Sequence, residues 1–377
     1  MKVLILTVTA GEGHNSTATA IEAVLQDRGI DCHVLDTCLK INRGLYDVIS
    51  KGYLLSTAEF KKTYSFLYSR LENRKRNSYT PSFTRTAYNM VKKKVQEHIA
   101  LYAPDVIVYT HVFAGVLLDV MREKGKIDAG IRTVGIVTDF VMHPFWEDVL
   151  RTDRVVIPNE MLVPAARRKG FSDAQIVPSG IPIRPHFAEA TAKSEARAEL
   201  GLDPEKPTIL LMGGSMGYGS LAKTMQEIDA LPTDFQVISV CGRNQKAKEE
   251  IDAISFRKTV RNFGYTEQIS LLMDAADCIV TKPGGLTTSE ALAKNLPLII
   301  SDPIPGQEER NTEFLVNNGV AMMVSKTYRL SDAIYQLFYD ETRLDSMRRN
   351  IALLRKPNAT HALCDLVEQL GKKEKKR

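Results

Sequence analysis

The chain has 377 residues, of which 44% are hydrophobic and 25% are charged, and its formal net charge is +5. This length is about twice that of a typical domain, and the composition excludes a disordered or fibrous chain. No run reaches the roughly 18 apolar residues of a membrane-spanning helix. The five cysteines form neither a CxxC pair nor a disulfide framework, so we expect free thiols in a reducing compartment.

Short β-branched apolar runs alternate with helix-length amphipathic stretches through most of the sequence. This alternation is typical of βαβ units and parallel sheets, so the fold class is α/β. The predicted strands of the first half are Val3–Thr9, Cys32–Leu35, Val106–Tyr109, Thr133–Val137, Val155–Ile157 and Ile176–Val177.

The first candidate site follows the first predicted strand and has the sequence GEGH, ending at His14. Glycines such as Gly13 let the backbone approach a ligand closely, and the N-terminus of the next helix carries partial positive charge. His14 has the pKa range that a general base needs, although a structural histidine at a helix start is the alternative. The same glycines, with Ser16 and Asp36, imitate a dinucleotide fingerprint that lacks its third glycine.

The region from Arg43 to Val95 departs from the alternation and is rich in aromatic and basic residues. It predicts two or three helices with a polar break over residues 73–81. One interpretation is an ordinary helical insert that packs its aromatic side chains. Another is an amphipathic surface at a membrane interface, which the basic tail over residues 372–377 also favours. Single-stranded nucleic acid suits the same composition, but we expect an anionic membrane surface as partner and no nucleic acid.

A proline-rich segment over residues 178–185 follows the first set of strands. Closely spaced prolines interrupt helices and sheets, so this segment predicts a linker. We place the boundary near Glu189, which gives Rossmann-like domains over residues 1–189 and 190–377. Two such domains predict a ligand cleft between them, with the carboxyl ends of the strands facing it.

The predicted strands of the second half are Thr208–Met212, Gln236–Val240, Thr259–Phe263, Cys278–Thr281, Leu298–Ile300 and, more weakly, Ala321–Val324. Three of the loops that follow them suit a nucleotide. Gly214 and Ser215 open a helix and suit phosphate, and Arg243 offers positive charge to a diphosphate. Gly264 and Tyr265 end another strand, where backbone atoms can read a uracil edge.

The strongest local signal is the turn from Lys282 into the next helix, with the sequence KPGGLTTSEA. The backbone N–H groups at Gly284 and Gly285 and the hydroxyls of Thr287 and Thr288 suit a diphosphate. Glu290, about one helical turn further, can accept hydrogen bonds from ribose hydroxyls. The alternative is a plain strand-to-helix turn with a capping threonine.

The next loop carries Gln307, Glu308 and Asn311 after another predicted strand. These donors and acceptors are what a site that binds sugar hydroxyls requires. The last part of the chain, from Leu344 to Leu370, predicts helix with a break near Pro357, and the C-terminal helix can pack back on the N-terminal domain.

Taken together, the segments GEGH, IPIRP, GGSMG, CGRN, GYTEQI, KPGGLTTSEA and PGQEERN resemble a known family. They are similar to those of the monogalactosyldiacylglycerol synthases and bacterial diacylglycerol glucosyltransferases, a branch of the GT-B glycosyltransferases. The resemblance covers essentially the whole chain. It implies two Rossmann-like domains and inverting transfer of a hexose, glucose in preference to galactose, from a UDP-sugar to diacylglycerol or glycosyl-diacylglycerol. It also implies that neither a metal nor another cofactor takes part.

The resemblance also implies roles for particular residues. His14 matches the catalytic base, Glu290 the ribose-binding acid, and Gln307 with Glu308 the pair that reads the hexose. The segment from Thr138 to Trp146 resembles a further motif of the family, and within it we choose Asp139 as the carboxylate that orients His14. The remaining donor-binding candidates are Gly13, Gly214, Ser215, Arg243, Gly264, Tyr265, Gly284, Gly285, Thr287, Thr288 and Asn311.

Other functions remain open at this point. A GT-B transferase with a polyprenyl-linked or soluble acceptor, a UDP-sugar epimerase and a nucleotide-sugar-responsive regulatory protein share these features. A dehydrogenase explains the first glycine turn but not the loops of the second half. For the favoured function we expect a cytoplasmic protein bound peripherally to the inner face of the cell membrane, and the sequence leaves its oligomeric state open.

Overall fold

The structure, a computed structural model, describes residues 1–9, 12–37, 82–214, 217 and 219–372, with only the backbone described for residues 82–91 and 341. Ser215, most of the region from Arg43 to Val95 and the end of the basic tail lie outside these residues. The described chain forms two compact units. The first contains the residues up to Pro185, residues 305–307 and those from Asn358 onward; the second contains residues 186–304 and 308–357.

The first unit is built on a parallel six-stranded sheet with the order β2-β1-β3-β4-β5-β6. Its strands are β1 (Lys2–Thr7), β2 (Asp31–Asp36), β3 (Val106–Tyr109), β4 (Arg132–Ile136), β5 (Arg154–Val156) and β6 (Ile176–Val177). The helices that follow the chain through this unit are α1 (Glu12–Asp27), α2 (Ser82–Tyr102), α3 (Val112–Glu123) and α4 (Val163–Lys169). Strand β3 is buried along its whole length, as a strand covered on both faces by helices must be.

The second unit has a parallel sheet with the order β12-β11-β10-β7-β8-β9. Its strands are β7 (Thr208–Met212), β8 (Gln236–Val240), β9 (Val260–Phe263), β10 (Cys278–Thr281), β11 (Leu298–Ile300) and β12 (Ala321–Met323). Its helices are α5 (Lys193–Glu199), α6 (Leu221–Asp229), α7 (Gln245–Asp252), α8 (Ile269–Ala275), α9 (Gly285–Ala293), α10 (Gln307–Asn317), α11 (Leu330–Tyr339) and α12 (Glu341–Leu354). Each strand predicted from the sequence is confirmed, with small shifts at its ends.

The last helix, α13 (Ala359–Gly371), packs on α1 within the first unit. Leu363, Cys364 and Val367 are fully buried in the same core cluster as the strand residues of β1 and β3. Arg28, just beyond α1, joins the two helices through ion pairs of 2.7 Å to Asp365 and 2.8 Å to Glu368. The predicted break near Pro357 is confirmed, because α12 ends at Leu354 and α13 begins at Ala359.

In both sheets the direction in which successive strands are added reverses at one point. In the first unit β2 lies on one side of β1 and β3 on the other; in the second unit β8 and β10 flank β7 in the same way. In open parallel sheets ligands bind at this switch point, outside the carboxyl ends of the strands. We therefore expect a ligand to bind at the loops after β1 and β3 and at those after β7 and β10. No helix in the described parts of the chain has the length and apolar character needed to cross a membrane.

Candidate active site

A chain of hydrogen bonds fixes the start of α1 on the strand ends of the first unit. The Asn15 amide donates to the Thr9 hydroxyl (2.9 Å), and the Thr7 hydroxyl donates to the Asn15 side-chain oxygen (3.0 Å). The backbone N–H and the hydroxyl of Thr9 both donate to the Asp36 carboxylate. Asp36 thus holds the loop after β1, which is a structural task different from the ribose contact of a dinucleotide fingerprint.

His14, on the first turn of α1, lies at the switch point of the first sheet. Its Nδ1 is 2.8 Å from the carbonyl oxygen of Thr110, the residue after β3, and 3.4 Å from the Thr138 hydroxyl. A carbonyl oxygen can only accept, so Nδ1 carries the proton and Nε2 has the free lone pair. Burial lowers the pKa of His14 below its ordinary value, while the bond to Thr110 opposes this shift. The ring is therefore a neutral base with a fixed tautomer at neutral pH.

A second histidine, His111, lies close to His14. The ring centroid of His111 is 4.7 Å from that of His14 in an edge-to-face arrangement. His111 Nδ1 accepts the Phe113 N–H (3.1 Å) as the N-cap of α3, so its own proton sits on Nε2. Burial lowers the pKa of His111 well below its ordinary value, and the nearby His14 and His143 add to this. A second positive charge beside His14 is thus disfavoured.

The predicted orienting role of Asp139 stays a prediction. Among the described residues, the hydrogen-bond partners of His14 are the Thr110 carbonyl and the Thr138 hydroxyl, and Asp139 is the next residue along the chain. The contact with Thr110 could not be predicted from the sequence, because it is made by a backbone carbonyl, which every residue type has. Gly13, a predicted donor-binding residue, is the second residue of α1, beside His14.

In the second unit, the loop after β7 is tied to the loop after β8. Gly214 and Gly217 both have positive φ, +73° and +59°, which favours glycine. Asn244, the N-cap of α7, donates from its amide to the Gly217 carbonyl (3.0 Å) and accepts the Ala247 N–H. A side chain on Gly217 would collide with the Cys241 carbonyl. These contacts hold the glycine loop over the end of β8.

Arg243 and Tyr265 come together at the ends of β8 and β9. The guanidinium carbon of Arg243 lies 5.6 Å from the centre of the Tyr265 ring, and both side chains are largely exposed. Stacking on a ring holds a guanidinium in place without neutralising it. The predicted role of Arg243 toward a diphosphate is compatible with this position. A Cβ atom placed on Gly264 would make an ordinary van der Waals contact with the Lys248 side chain.

The turn after β10 leads into α9, which has Gly284 as its N-cap and Gly285 as its first residue. Helix N-termini bind anions through free N–H groups and partial positive charge. Thr288 is fully buried, and no described residue is a hydrogen-bond partner of its hydroxyl. Glu290 is 5% exposed on the same helix. Thr287, the residue before Thr288, is only partly buried.

Helix α10 places two predicted sugar-binding residues against this turn. Asn311 is fully buried and donates to the Pro283 carbonyl (2.9 Å), so it supports the turn; a direct contact with the UDP-sugar stays a prediction. Glu308 is 9% exposed, and its two carboxylate oxygens accept from Lys282 Nζ (3.1 Å) and the Ile304 N–H (2.8 Å). Lys282 was not among the predicted site residues. Gln307, the first residue of α10, is partly buried.

Asp302, in the loop after β11, has φ +47°, an uncommon backbone conformation for a residue with a side chain. Such positions concentrate at functional sites.

Within the described residues, no three His, Cys, Asp or Glu side chains converge as a metal site would need. Transfer without a metal stays a prediction.

Comparison with known proteins identifies the family. The model of the monogalactosyldiacylglycerol (MGDG) synthase family matches residues 14–183, and that of the glycosyltransferase family 28 C-terminal domain matches residues 208–363. A processive diacylglycerol beta-glucosyltransferase of Bacillus pumilus is 30% identical over 98% of this chain and 95% of its own. A probable chloroplastic monogalactosyldiacylglycerol synthase of Glycine max is 30% identical over 98% of this chain and 72% of its own.

Solved structures confirm the GT-B fold. MurG of Acinetobacter baumannii superposes with a TM-score of 0.66 at 15% identity, covering 98% of this chain and 99% of that one. The UDP-GlcNAc 2-epimerase of Neisseria meningitidis superposes with a TM-score of 0.63 at 14% identity, covering 98% and 100%. Since an epimerase shares the fold, the assignment depends on the sequence relatives. The chain belongs to the glycosyltransferase family that contains the monogalactosyldiacylglycerol synthases and the processive diacylglycerol glucosyltransferases.

Proposed function

We propose that this enzyme transfers glucose, in preference to galactose, from its UDP-sugar to diacylglycerol or glycosyl-diacylglycerol with inversion at the anomeric carbon. The observation that carries the proposal is the His14 imidazole, whose Nδ1–H is held by the Thr110 carbonyl and whose Nε2 is left as a base. The Bacillus pumilus relative is named a beta-glucosyltransferase, which supports glucose and a β-linked product. UDP-glucose is an α-glycoside, so a single displacement that gives a β-glycoside inverts the centre.

The acceptor hydroxyl is a weak nucleophile until a base takes its proton. In the proposed step His14 Nε2 accepts that proton while the hydroxyl oxygen forms a bond to the anomeric carbon. The bond from this carbon to the β-phosphate oxygen breaks, and UDP leaves with the electron pair. General-base assistance of this kind contributes about 10²- to 10⁴-fold. The lowered pKa of His14 keeps the base neutral at physiological pH.

The second unit provides the groups that suit the donor. Gly284 and Gly285 open α9, and the loop containing Gly214 opens toward α6, so helix N-termini and free N–H groups are available to the diphosphate. Arg243, stacked on Tyr265, supplies a positive charge. Preorganised donors of this kind stabilise a departing anion, and we propose that they replace a metal. Glu290 is the proposed ribose contact.

A lipid acceptor requires access to a membrane surface. Helix α2 carries Lys92, Lys93 and Lys94 in succession, the latter two exposed, and Leu101 is 86% exposed near its end. Basic side chains beside exposed apolar ones suit an anionic lipid surface. We propose a cytoplasmic enzyme bound peripherally to the inner face of the cell membrane. Sedimentation with anionic and with neutral vesicles tests this, and equal binding to both contradicts the electrostatic part.

The test of the function is UDP release from UDP-glucose and, separately, from UDP-galactose, each with and without diacylglycerol vesicles. Vesicle-dependent release with faster turnover of UDP-glucose supports the proposal, and anomeric analysis of the product decides between inversion and retention. Faster turnover of UDP-galactose overturns the donor preference alone. Binding of UDP without release in the presence of vesicles overturns the lipid acceptor and favours another acceptor or a regulatory role.

A further inference from the structure

Lys282 is a partly buried cation at the switch point of the second sheet. It follows β10, which pairs with β7 in a register that sets Thr281 opposite Met212. Lys282 and the loop that begins at Gly213 therefore leave the sheet side by side. This is the point at which open parallel sheets bind their ligands.

The Lys282 side chain fills the space beside the two glycine turns. A Cβ atom placed on Gly214 would lie 3.5 Å from Lys282 Cε, so the lysine stem passes against the turn after β7. A Cβ atom placed on Gly284 would lie 4.0 Å from Glu308 Oε1, and Lys282 Nζ is 3.1 Å from that same oxygen. The ammonium thus lies next to the turn after β10. Both turns are candidate binding sites for the diphosphate of the UDP-sugar.

We propose that the Lys282 ammonium binds the β-phosphate of the UDP-sugar and stabilises its charge as UDP departs. The inference deepens the proposed function and rests on it. An ammonium has three N–H donors, so it can bind Glu308 and a phosphate oxygen at once. The β-phosphate gains charge when its bond to the sugar breaks, and a cation already held in place needs no reorganisation at that moment.

Glu308 explains how the Lys282 ammonium is held in the site when no UDP-sugar is bound. Its carboxylate is held on the other side by the Ile304 N–H at 2.8 Å, and the lysine and glutamate side chains are only 18% and 11% exposed. A partly buried charge without a partner is costly, so the pair compensates Lys282 until an anion arrives. Glu308 in this view also sets the position of the ammonium.

Calorimetric titration with UDP, UMP and uridine tests the inference, because only UDP has a β-phosphate. Lys282→Met keeps the aliphatic stem and removes the charge. The double variant K282M/E308Q removes both charges and leaves no unpaired carboxylate. It therefore separates loss of the phosphate contact from a folding defect that an unpaired Glu308 would cause. Lys258→Met is the matched control, because Lys258 is a partly buried lysine that precedes β9 and lies 4.2 Å from the centre of the Phe235 ring.

We expect K282M and the double variant to weaken UDP binding by about 10- to 100-fold, the effect of one charge-assisted hydrogen bond. UMP and uridine should change by less than about threefold, and K258M should bind all three ligands like the wild type. Equal weakening of UDP and UMP, or unchanged UDP binding in both variants, overturns the assignment. A wild-type protein that binds no UDP overturns the proposed function itself, which is a separate outcome.

Discussion

Replacement of Asp139 by asparagine tests how the imidazole of His14, the proposed catalytic base, is oriented. In serine proteases a carboxylate holds the histidine tautomer, and its loss to asparagine lowers kcat by about 10⁴-fold. Here the bond at His14 Nδ1 is to the Thr110 backbone carbonyl at 2.8 Å, which no side-chain substitution removes. We therefore expect Asp139→Asn to lower kcat by less than about tenfold, since the tautomer is already fixed. The sequence-based role for Asp139 instead requires the large loss.

Two companion variants show how small and how large a loss of kcat to expect at this site. The Thr138 hydroxyl is 3.4 Å from His14 Nδ1, near the outer limit of a hydrogen bond, so Thr138→Val should lower kcat by less than about threefold. His14→Ala removes the base and should lower kcat by about 10²- to 10⁴-fold while UDP affinity stays unchanged. Vesicle-dependent UDP release gives kcat, and calorimetry gives the affinity.

The pH dependence adds an independent check on the same histidine. Burial lowers the pKa of His14 below its ordinary value of 6.5, so the neutral base persists through pH 7 and kcat/KM should fall only below about pH 6.5. His111 has a lowered pKa as well, so the unfolded state binds more protons below pH 6.5 and the fold itself weakens there. Circular dichroism at each pH separates the two effects. A 10³-fold loss in folded Asp139→Asn, or an acid limb centred above pH 7, refutes the reasoning.

Two further substitutions and one labelling experiment test other parts of the structure. Glu290→Ala should abolish detectable UDP binding with circular dichroism unchanged, whereas normal affinity would move the ribose contact elsewhere. Burial raises the pKa of Cys32 and Cys364 to about 12, so both thiols should resist Ellman's reagent at pH 8 in the native protein and react in urea; fast native labelling would contradict their burial. Lys294→Met leaves buried Asp274 without its 2.7 Å ion pair and should lower the free energy of unfolding by about 3–5 kcal/mol in urea titrations, and a change under 1 kcal/mol would mean that Asp274 is otherwise compensated.

The strands were predictable because their signal is local. A parallel strand covered on both faces is a short run of β-branched and apolar residues, as in Val106–Tyr109 and Leu298–Ile300, and each run ends where a loop begins. The candidate residues could be predicted for the same reason. Once the strands are known, the loops at their carboxyl ends are the segments expected to carry the ligand-binding residues.

The contacts that give these residues their chemistry were not predictable. His14 and Thr110 are separated by 96 residues, and the partner is a backbone atom that any residue type would supply. Asn311 was predicted as a sugar-binding side chain, and its hydrogen bond to the Pro283 carbonyl, which depends on how α10 packs against the turn, was not. Lys282 had no predicted role, and only its distance to Glu308 shows that its charge is held in place.

The two halves of the proposed reaction make different electrostatic demands, and each unit meets one of them. Proton removal needs a neutral base, so the first unit surrounds His14 with uncharged partners: a backbone carbonyl, a hydroxyl and the neutral His111 ring. Departure of a diphosphate needs positive charge, which would raise the cost of protonating an imidazole placed beside it. In the second unit the proposed sources of that charge are helix N-termini, Arg243 and Lys282. The base and the leaving-group cations therefore belong on different sheets.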